Sequence, residues 1–200
     1  MDFENLLAER TAVMGASAIR EILKVVSEPG MVSLAGGIPA PESFPMSIIS
    51  ELTEKVIRKY DSGAFQYDLT EGFKPLQDQL SIHLGNRGIK AEPHEINISS
   101  GSQGVLDGIA KILISKGDKI AVEAPTYLGA ISAFNPYQPE YIRMDTDDYG
   151  LIPESLDQIL INHKIKFIYL VPTFQNPTGR TIPLKRRQKI ARIIIKHNVL

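Results

Sequence analysis

Cysteine is absent from this chain of 200 residues. That absence excludes disulfides and thiolate metal sites, and it fits a reducing compartment. Histidine is scarce: His83, His94, His163 and His197 are scattered without the spacing of a ligand set, so metal catalysis is not expected. No apolar run reaches the ~18 residues that a membrane span requires. The amino terminus, Met1-Asp2-Phe3-Glu4-Asn5, has no basic region ahead of an apolar core, so no secretory leader is read there. An excess of one charge is also missing. A net charge of −1 and a pI near 6.4 give no reason to propose nucleic acid or an anionic membrane as partner. Internal repeats and low-complexity linkers are not found. The expectation is a cytoplasmic protein that binds neither nucleic acid nor membrane.

What the chain does contain is ordinary globular material, 43% hydrophobic and 22% charged. Its length suits one domain, or part of a larger one. The first thirty or so residues read as two helices, the second with an apolar face of Ile19, Ile22, Leu23 and Val26, ended by Glu28-Pro29-Gly30. A loop rich in breakers follows (Gly36, Gly37, Pro39, Pro41), then a helix over 45–60 whose Ile48, Ile49, Leu52, Val56 and Ile57 keep the helical period. After Gly72 helices and short apolar strands alternate. Helices are predicted near 74–86, 103–115, 127–134, 153–162 and 184–197, and strands at 96–99, 119–123, 141–144 and 167–171. Such alternation means crossover units and a mostly parallel sheet, an α/β fold. Lys185-Arg186-Arg187, opening the last helix, reads as a solvated face rather than a polyanion site. Val199-Leu200 resembles the start of a further strand, so the sheet is expected to be incomplete and the chain to be the front part of a longer protein.

Three strand ends carry polar turns, and in an open α/β sheet that edge is where ligands bind. Ser99-Ser100-Gly101-Ser102-Gln103-Gly104 precedes a helix, whose amino end and dipole suit a phosphate. An ordinary turn capped by Ser102 would have the same composition. The run matches neither the Rossmann nor the P-loop glycine pattern. Glu123-Ala124-Pro125-Thr126-Tyr127 offers a ring able to stack on a flat heterocycle, or simply to fill core. Gln175-Asn176-Pro177-Thr178-Gly179 offers an amide with donor and acceptor groups, in residues that also favour plain turns. Upstream, Gln66-Tyr67-Asp68-Leu69-Thr70-Glu71-Gly72 adds a second phenol ahead of a helix. Convergence of these turns at one edge describes a pocket for a phosphorylated aromatic cofactor.

Taken in order, Ser33-Leu34-Ala35-Gly36-Gly37-Ile38-Pro39, the 67–72 segment, Gly101-Ser102-Gln103, Glu123 to Tyr127 and Gln175 to Gly179 resemble the front half of a fold-type-I pyridoxal-phosphate aminotransferase. Within it they are most similar to the 2-aminoadipate and kynurenine group. The resemblance implies pyridoxal 5′-phosphate as cofactor, with Ser102 and Gln103 at its phosphate, Tyr127 stacked on its pyridine ring and Asn176 bonded to its 3′-oxygen. It implies that Tyr67 reaches the phosphate of a neighbouring subunit's cofactor, hence a homodimer with shared sites. Gly36 and Gly37 would lie beside the carboxylate of an amino acid or 2-oxo acid substrate, and Arg20 would contact an acidic substrate side chain. Residues 1–60 would form an amino-terminal arm and helices of a small domain, and 61–200 the front part of the large cofactor-binding domain. The family's Schiff-base lysine would lie beyond this chain, leaving it inactive alone; Lys116 belongs to a solvated helix-to-strand turn. Two alternatives are an effector-sensing domain of a transcription regulator, disfavoured because no basic recognition helix precedes the arm, and a non-catalytic cofactor-binding fragment.

Overall fold

The computed structural model describes residues 3–14, 37 and 39–200. The chain gathers into two compact units, one of Ala18–Ser100 and one of Met1–Ser17 with Gly101–Leu200. The predicted helix with the face Ile19, Ile22, Leu23 and Val26 lies outside the described residues. Ahead of it, Phe3–Leu6 and Glu9–Val13 form short 3-10 turns rather than a helix.

In the first unit, α1 (Met46–Tyr60) follows Pro45 and ends at Asp61. Its Glu51–Lys55 and Glu54–Arg58 pairs are of the favourable i,i+4 sense. Its apolar stripe, Ile48, Ile49, Leu52, Val56 and Ile57, remains exposed. The second helix, α2 (Lys74–Gly85), buries Gln77, whose amide donates to Ile96 O at 2.7 Å and to Glu71 O at 3.2 Å. The strand predicted at 96–99 does not form. The Ile98 N–H instead bonds Glu71 O at 2.9 Å, so the segment's polar groups are satisfied by a loop and a side chain instead of a ladder. Gly72 has φ +109°, and a Cβ there would strike Ile98 Cβ at 2.6 Å. Tyr60 and Phe73 meet edge to face at 5.1 Å.

The second unit is built on a parallel three-stranded sheet whose central strand, Lys119–Glu123, is flanked by Glu140–Met144 and Ile165–Tyr169. Its elements in chain order begin with α3 (Ser102–Leu113), β1 (Lys119–Glu123) and α4 (Leu128–Phe134). Then come β2 (Glu140–Met144), the short β3 (Thr146–Asp147) and β4 (Gly150–Leu151), and α5 (Pro153–Asn162). Last are β5 (Ile165–Tyr169) and α6 (Leu184–His197). Strand β1 is central and buried from Ile120 to Glu123. Alternation divides its side chains. Ile120 and Val122 enter a core with Ala110, Ala130, Phe134 and Phe167 under α3 and α4. Ala121 enters the opposite core with Met144, Leu156 and Ile190 under α5 and α6. Coverage of both faces is why these strands read as unbroken apolar runs.

The α/β fold expected from the sequence is therefore the one that forms, with flanking helices on a parallel sheet. Within the second unit two elements differ. Strand β5 starts at Ile165 and stops at Tyr169, not at 171, because Val171 N–H turns to the Glu123 carboxylate at 3.0 Å. The β3–β4 hairpin, antiparallel with Asp147 opposite Gly150, was not expected. It closes through Tyr149 N–H on Asp147 Oδ1 at 2.7 Å and a positive φ of 85° at Gly150. No helix among the described residues is long and apolar enough to cross a membrane.

Candidate functional site

The carboxyl ends of β1 and β5 lie side by side, with Val122 opposite Tyr169 in the parallel register. Both strands therefore deliver their turns to one edge. Helix α3 begins there too. Gly101, not Ser102, is its N-cap, with φ 91° and ψ 167°, and no side chain caps the helix. Ser102 and Gln103 are exposed in its first turn. A helix that starts on a glycine receives no bond from the side chain of its N-cap residue, and such an amino end suits an anion.

Three contacts stitch the turns together. Gln103 Nε2 donates to Gly129 O at 3.0 Å, joining the start of α3 to the start of α4. The Tyr127 ring is half-buried against the core beneath α3 and α4 and lies over Gly129. Gln175 Nε2 donates to Pro125 O at 2.8 Å, joining the turn after β5 to the turn after β1. The Gln175 amide oxygen in turn accepts from Thr178 N at 2.9 Å and Thr178 Oγ1 at 2.7 Å, which closes the Asn-Pro-Thr-Gly turn around it. Asn176 stands exposed at the tip of that turn. Gln175 itself is only 5% exposed.

Beneath the turns sits Glu123, 2% exposed. Burial pushes its carboxyl pKa up, while hydrogen bonds from Val171 N–H and the Gln175 side chain oppose the rise. Burial likewise raises the Tyr169 phenol, helped by Tyr127 and Glu123 nearby. The hydroxyl of Thr126, between Pro125 and Tyr127, is buried with no hydrogen-bond partner among the described residues.

The basic cluster at the start of α6 is not the solvated face that the sequence suggested. Arg187 donates to Ile182 O at 2.7 Å and to Pro172 O and Thr173 Oγ1, each at 2.8 Å. Arg186 grips Asp147 through two bonds of 2.5 and 3.0 Å. Arg187 thereby holds residues leading into and out of the Asn176 turn, whereas Arg186 holds the β3–β4 hairpin. Lys185 and Lys116 are exposed.

Of the residues singled out from the sequence, Ser102, Gln103, Tyr127 and Asn176 are brought to one edge of one unit. Tyr67 and Gly37 belong to the other unit. Tyr67 is 98% exposed, and Gly37 has φ +60° with open space around its Cα. Arg20 and Gly36 lie outside the described residues. Sequence reading missed the work of Glu123, Gln175 and Gly129. A glutamate closing the apolar run Lys119-Ile120-Ala121-Val122-Glu123 was the available signal, since a carboxylate there must find donors. Among the described residues no group of acidic or imidazole side chains is arranged to hold a metal.

A parallel sheet with polar turns, a helix amino end and an aromatic ring gathered at its carboxyl edge defines an α/β ligand-binding domain. The sequence model of the family "Aminotransferase class I and II" matches residues 30–200, and the chain belongs to that family. It is 41% identical to aromatic-amino-acid aminotransferase 1 of Thermococcus litoralis, over 100% of this chain and 49% of that protein. Among solved structures it is similar to a kynurenine aminotransferase of Pyrococcus horikoshii in complex with PMP, at 40% identity and a TM-score of 0.92, covering 100% of this chain and 50% of that one. It is also similar to an alpha-aminoadipate aminotransferase of Thermus thermophilus complexed with N-(5′-phosphopyridoxyl)-L-leucine, at 32% identity and TM-score 0.89, covering 100% and 49%. The chain thus spans about half the length of the relatives it matches.

Proposed function

We propose that the complete protein is a pyridoxal-phosphate-dependent aminotransferase, moving an amino group from an α-amino acid to a 2-oxo acid. The 200 residues supply the front of its cofactor site. One observation carries the reading: the stitching of three turns at one sheet edge through Gln103–Gly129, Tyr127 over Gly129 and Gln175–Pro125. The residues present fit the group. A helix start with no side-chain cap suits its phosphate, an aromatic ring its pyridine, an exposed amide its oxygen, and the unpartnered Thr126 hydroxyl has bonding capacity to spare. Bound there, pyridoxal phosphate supplies an electron sink for the substrate's α-carbon and carries the amino group between substrates.

The protein's own part is to bind and orient. Ser102, Gln103 and the first N–H groups of α3 would hold the phosphate, and Tyr127 would stack on the ring. Asn176 would donate its amide N–H to the 3′-oxygen, from a turn that Gln175 braces by bonding Pro125 O. Glu123, raised in pKa by burial, anchors Gln175 and Val171 from below. Gly36, Gly37 and Arg20 are assigned to the substrate, and Tyr67 to the phosphate of the partner subunit's cofactor in a homodimer. Residues 1–60 are assigned to an arm and small domain, and 61–200 to the front of the large domain. The lysine that holds the cofactor covalently is assigned to the remaining half of the complete protein. A cytoplasmic location agrees with the lack of cysteine.

The test is reconstitution of the complete protein with pyridoxal phosphate, followed by dialysis and absorption spectroscopy. Retained cofactor whose visible band shifts on adding an amino acid is the expected result. Failure to retain it, with the fold intact, overturns the proposal.

A further inference from the structure

A glycine in a helix costs stability relative to alanine, and a neighbour that occupies the space of its Cβ is one physical reason to keep it. Among the described glycines, a Cβ would meet other atoms at Gly72, Gly129 and Gly150. Gly72 and Gly150 also have positive φ, +109° and +85°, so backbone conformation already accounts for them. Gly129 does not. It is the second residue of α4, its φ is ordinary, and alanine would serve the helix better. What forbids a side chain is the Tyr127 ring: a Cβ at Gly129 would fall on Tyr127 Cζ and within 2.5 Å of its Cε1 and Oη.

The same residue has a second attachment. Its carbonyl accepts the Gln103 side chain at 3.0 Å. Gly129 therefore touches both the ring and the side chain that the proposed site assigns to opposite ends of the cofactor. Its bare Cα is a floor for the phenol, and its carbonyl is a tether for the phosphate-side amide. We propose that Gly129 is a positioning residue, setting the depth of the Tyr127 ring and coupling it to Gln103. The inference rests on reading Tyr127 as the ring that stacks on the cofactor. A Cβ at this point overlaps the end of the Tyr127 side chain, so the ring must shift from the position it holds over Gly129.

The experiment is a double-mutant cycle in the complete holoenzyme, with Gly129→Ala and Tyr127→Leu alone and together. Three quantities are read: the pyridoxal-phosphate dissociation constant, the absorption maximum of the bound cofactor and the melting temperature of the apoprotein. Gly129→Ala is expected to weaken cofactor binding about tenfold or more and to shift the absorption maximum, with the apoprotein's melting temperature unchanged or higher. In the Tyr127→Leu background the same substitution is expected to change the affinity less than twofold, because the ring it displaces is gone. Equal losses in both backgrounds overturn the inference, as does an unchanged affinity in Gly129→Ala alone. If Tyr127→Leu by itself leaves affinity unchanged, the stacking role of Tyr127 fails, and the inference fails with it. Should Gly129→Ala not fold, recovery of folding in the double variant reports the same contact, and misfolding in both overturns it.

Discussion

Gln175 offers the sharpest test of how the site edge is held. Its side chain donates to Pro125 O at 2.8 Å and accepts from Thr178 N and Oγ1 at 2.9 and 2.7 Å, with 5% of the residue exposed. Replacing it by leucine keeps the bulk and removes these bonds together. At about 1 kcal/mol net for each neutral hydrogen bond, the loss sums to ~3 kcal/mol. Pro125 and Thr178 are exposed and rehydrate, which holds the cost near that figure. Glu123 is buried and loses its Gln175 partner, which adds to it. Because the turn is local, the cost should appear as easier local opening before it appears as global unfolding. Hydrogen exchange reads this directly at Gly179 N–H on Gln175 O, Gln175 N–H on Arg180 O and Val171 N–H on Glu123. A penalty of ~3 kcal/mol corresponds to roughly a hundredfold loss of protection. In the complete protein, Gln175→Leu should also weaken cofactor binding by displacing Asn176. Protection within threefold of wild type at all these amides would refute the bracing role assigned to Gln175.

Further expectations come from the core, the surface pairs and the Asn176 turn. Phe134, 1% exposed and edge-to-face with Phe167 at 5.6 Å and Tyr169 at 5.7 Å, anchors the core beneath α3 and α4. Phe134→Ala should cost about 3–5 kcal/mol in urea unfolding, and a loss below ~1 kcal/mol would contradict its anchoring role. Asp157 receives His197 Nε2 at 2.7 Å and Lys196 Nζ at 3.0 Å, and these partners hold its pKa below the ordinary 3.8. The unfolded chain thus binds the proton first as pH falls. The pair's stabilisation is complete above about 3.8 and is lost as pH drops toward the lower folded value. Urea midpoints should show Asp157→Asn less stable than wild type at pH 6, with the gap narrowing as pH falls below 3.8; a constant gap would count against the pairing. Asn176→Ala in the complete enzyme should slow turnover at least tenfold with unchanged melting temperature, since the residue is exposed; wild-type turnover would remove it from the site.

Strand and helix identity was legible wherever one periodicity dominated. The runs at 119–123 and 153–162 matched the structure to the residue, because each is bounded by turn residues and buried on the face the pattern implies. The 96–99 run misled because Ile96 and Ile98 alternate as in a strand, while their unit pairs no strand with them. Whether alternation becomes a ladder depends on a neighbour that composition does not announce. The β3–β4 hairpin was invisible for the opposite reason. Its strands are two residues each and its turn, Asp147-Asp148-Tyr149-Gly150, reads as loop until Arg186 arrives from α6 to hold it.

By itself the sequence determined the alternating α/β order, the set of polar turns at strand ends and the family to which they belong. These are local or linear properties: periodicity, turn chemistry and the order of motifs along one chain. Only the tertiary structure decided which groups brace the site. Gln103 meets Gly129 across 26 positions, Gln175 meets Pro125 across 50, and Val171 meets Glu123 across 48. The last two come from the parallel register of β1 and β5, which sets the two strand ends side by side. A glutamine on one turn and a carbonyl on another carry no mark of each other until the sheet places them within hydrogen-bond distance.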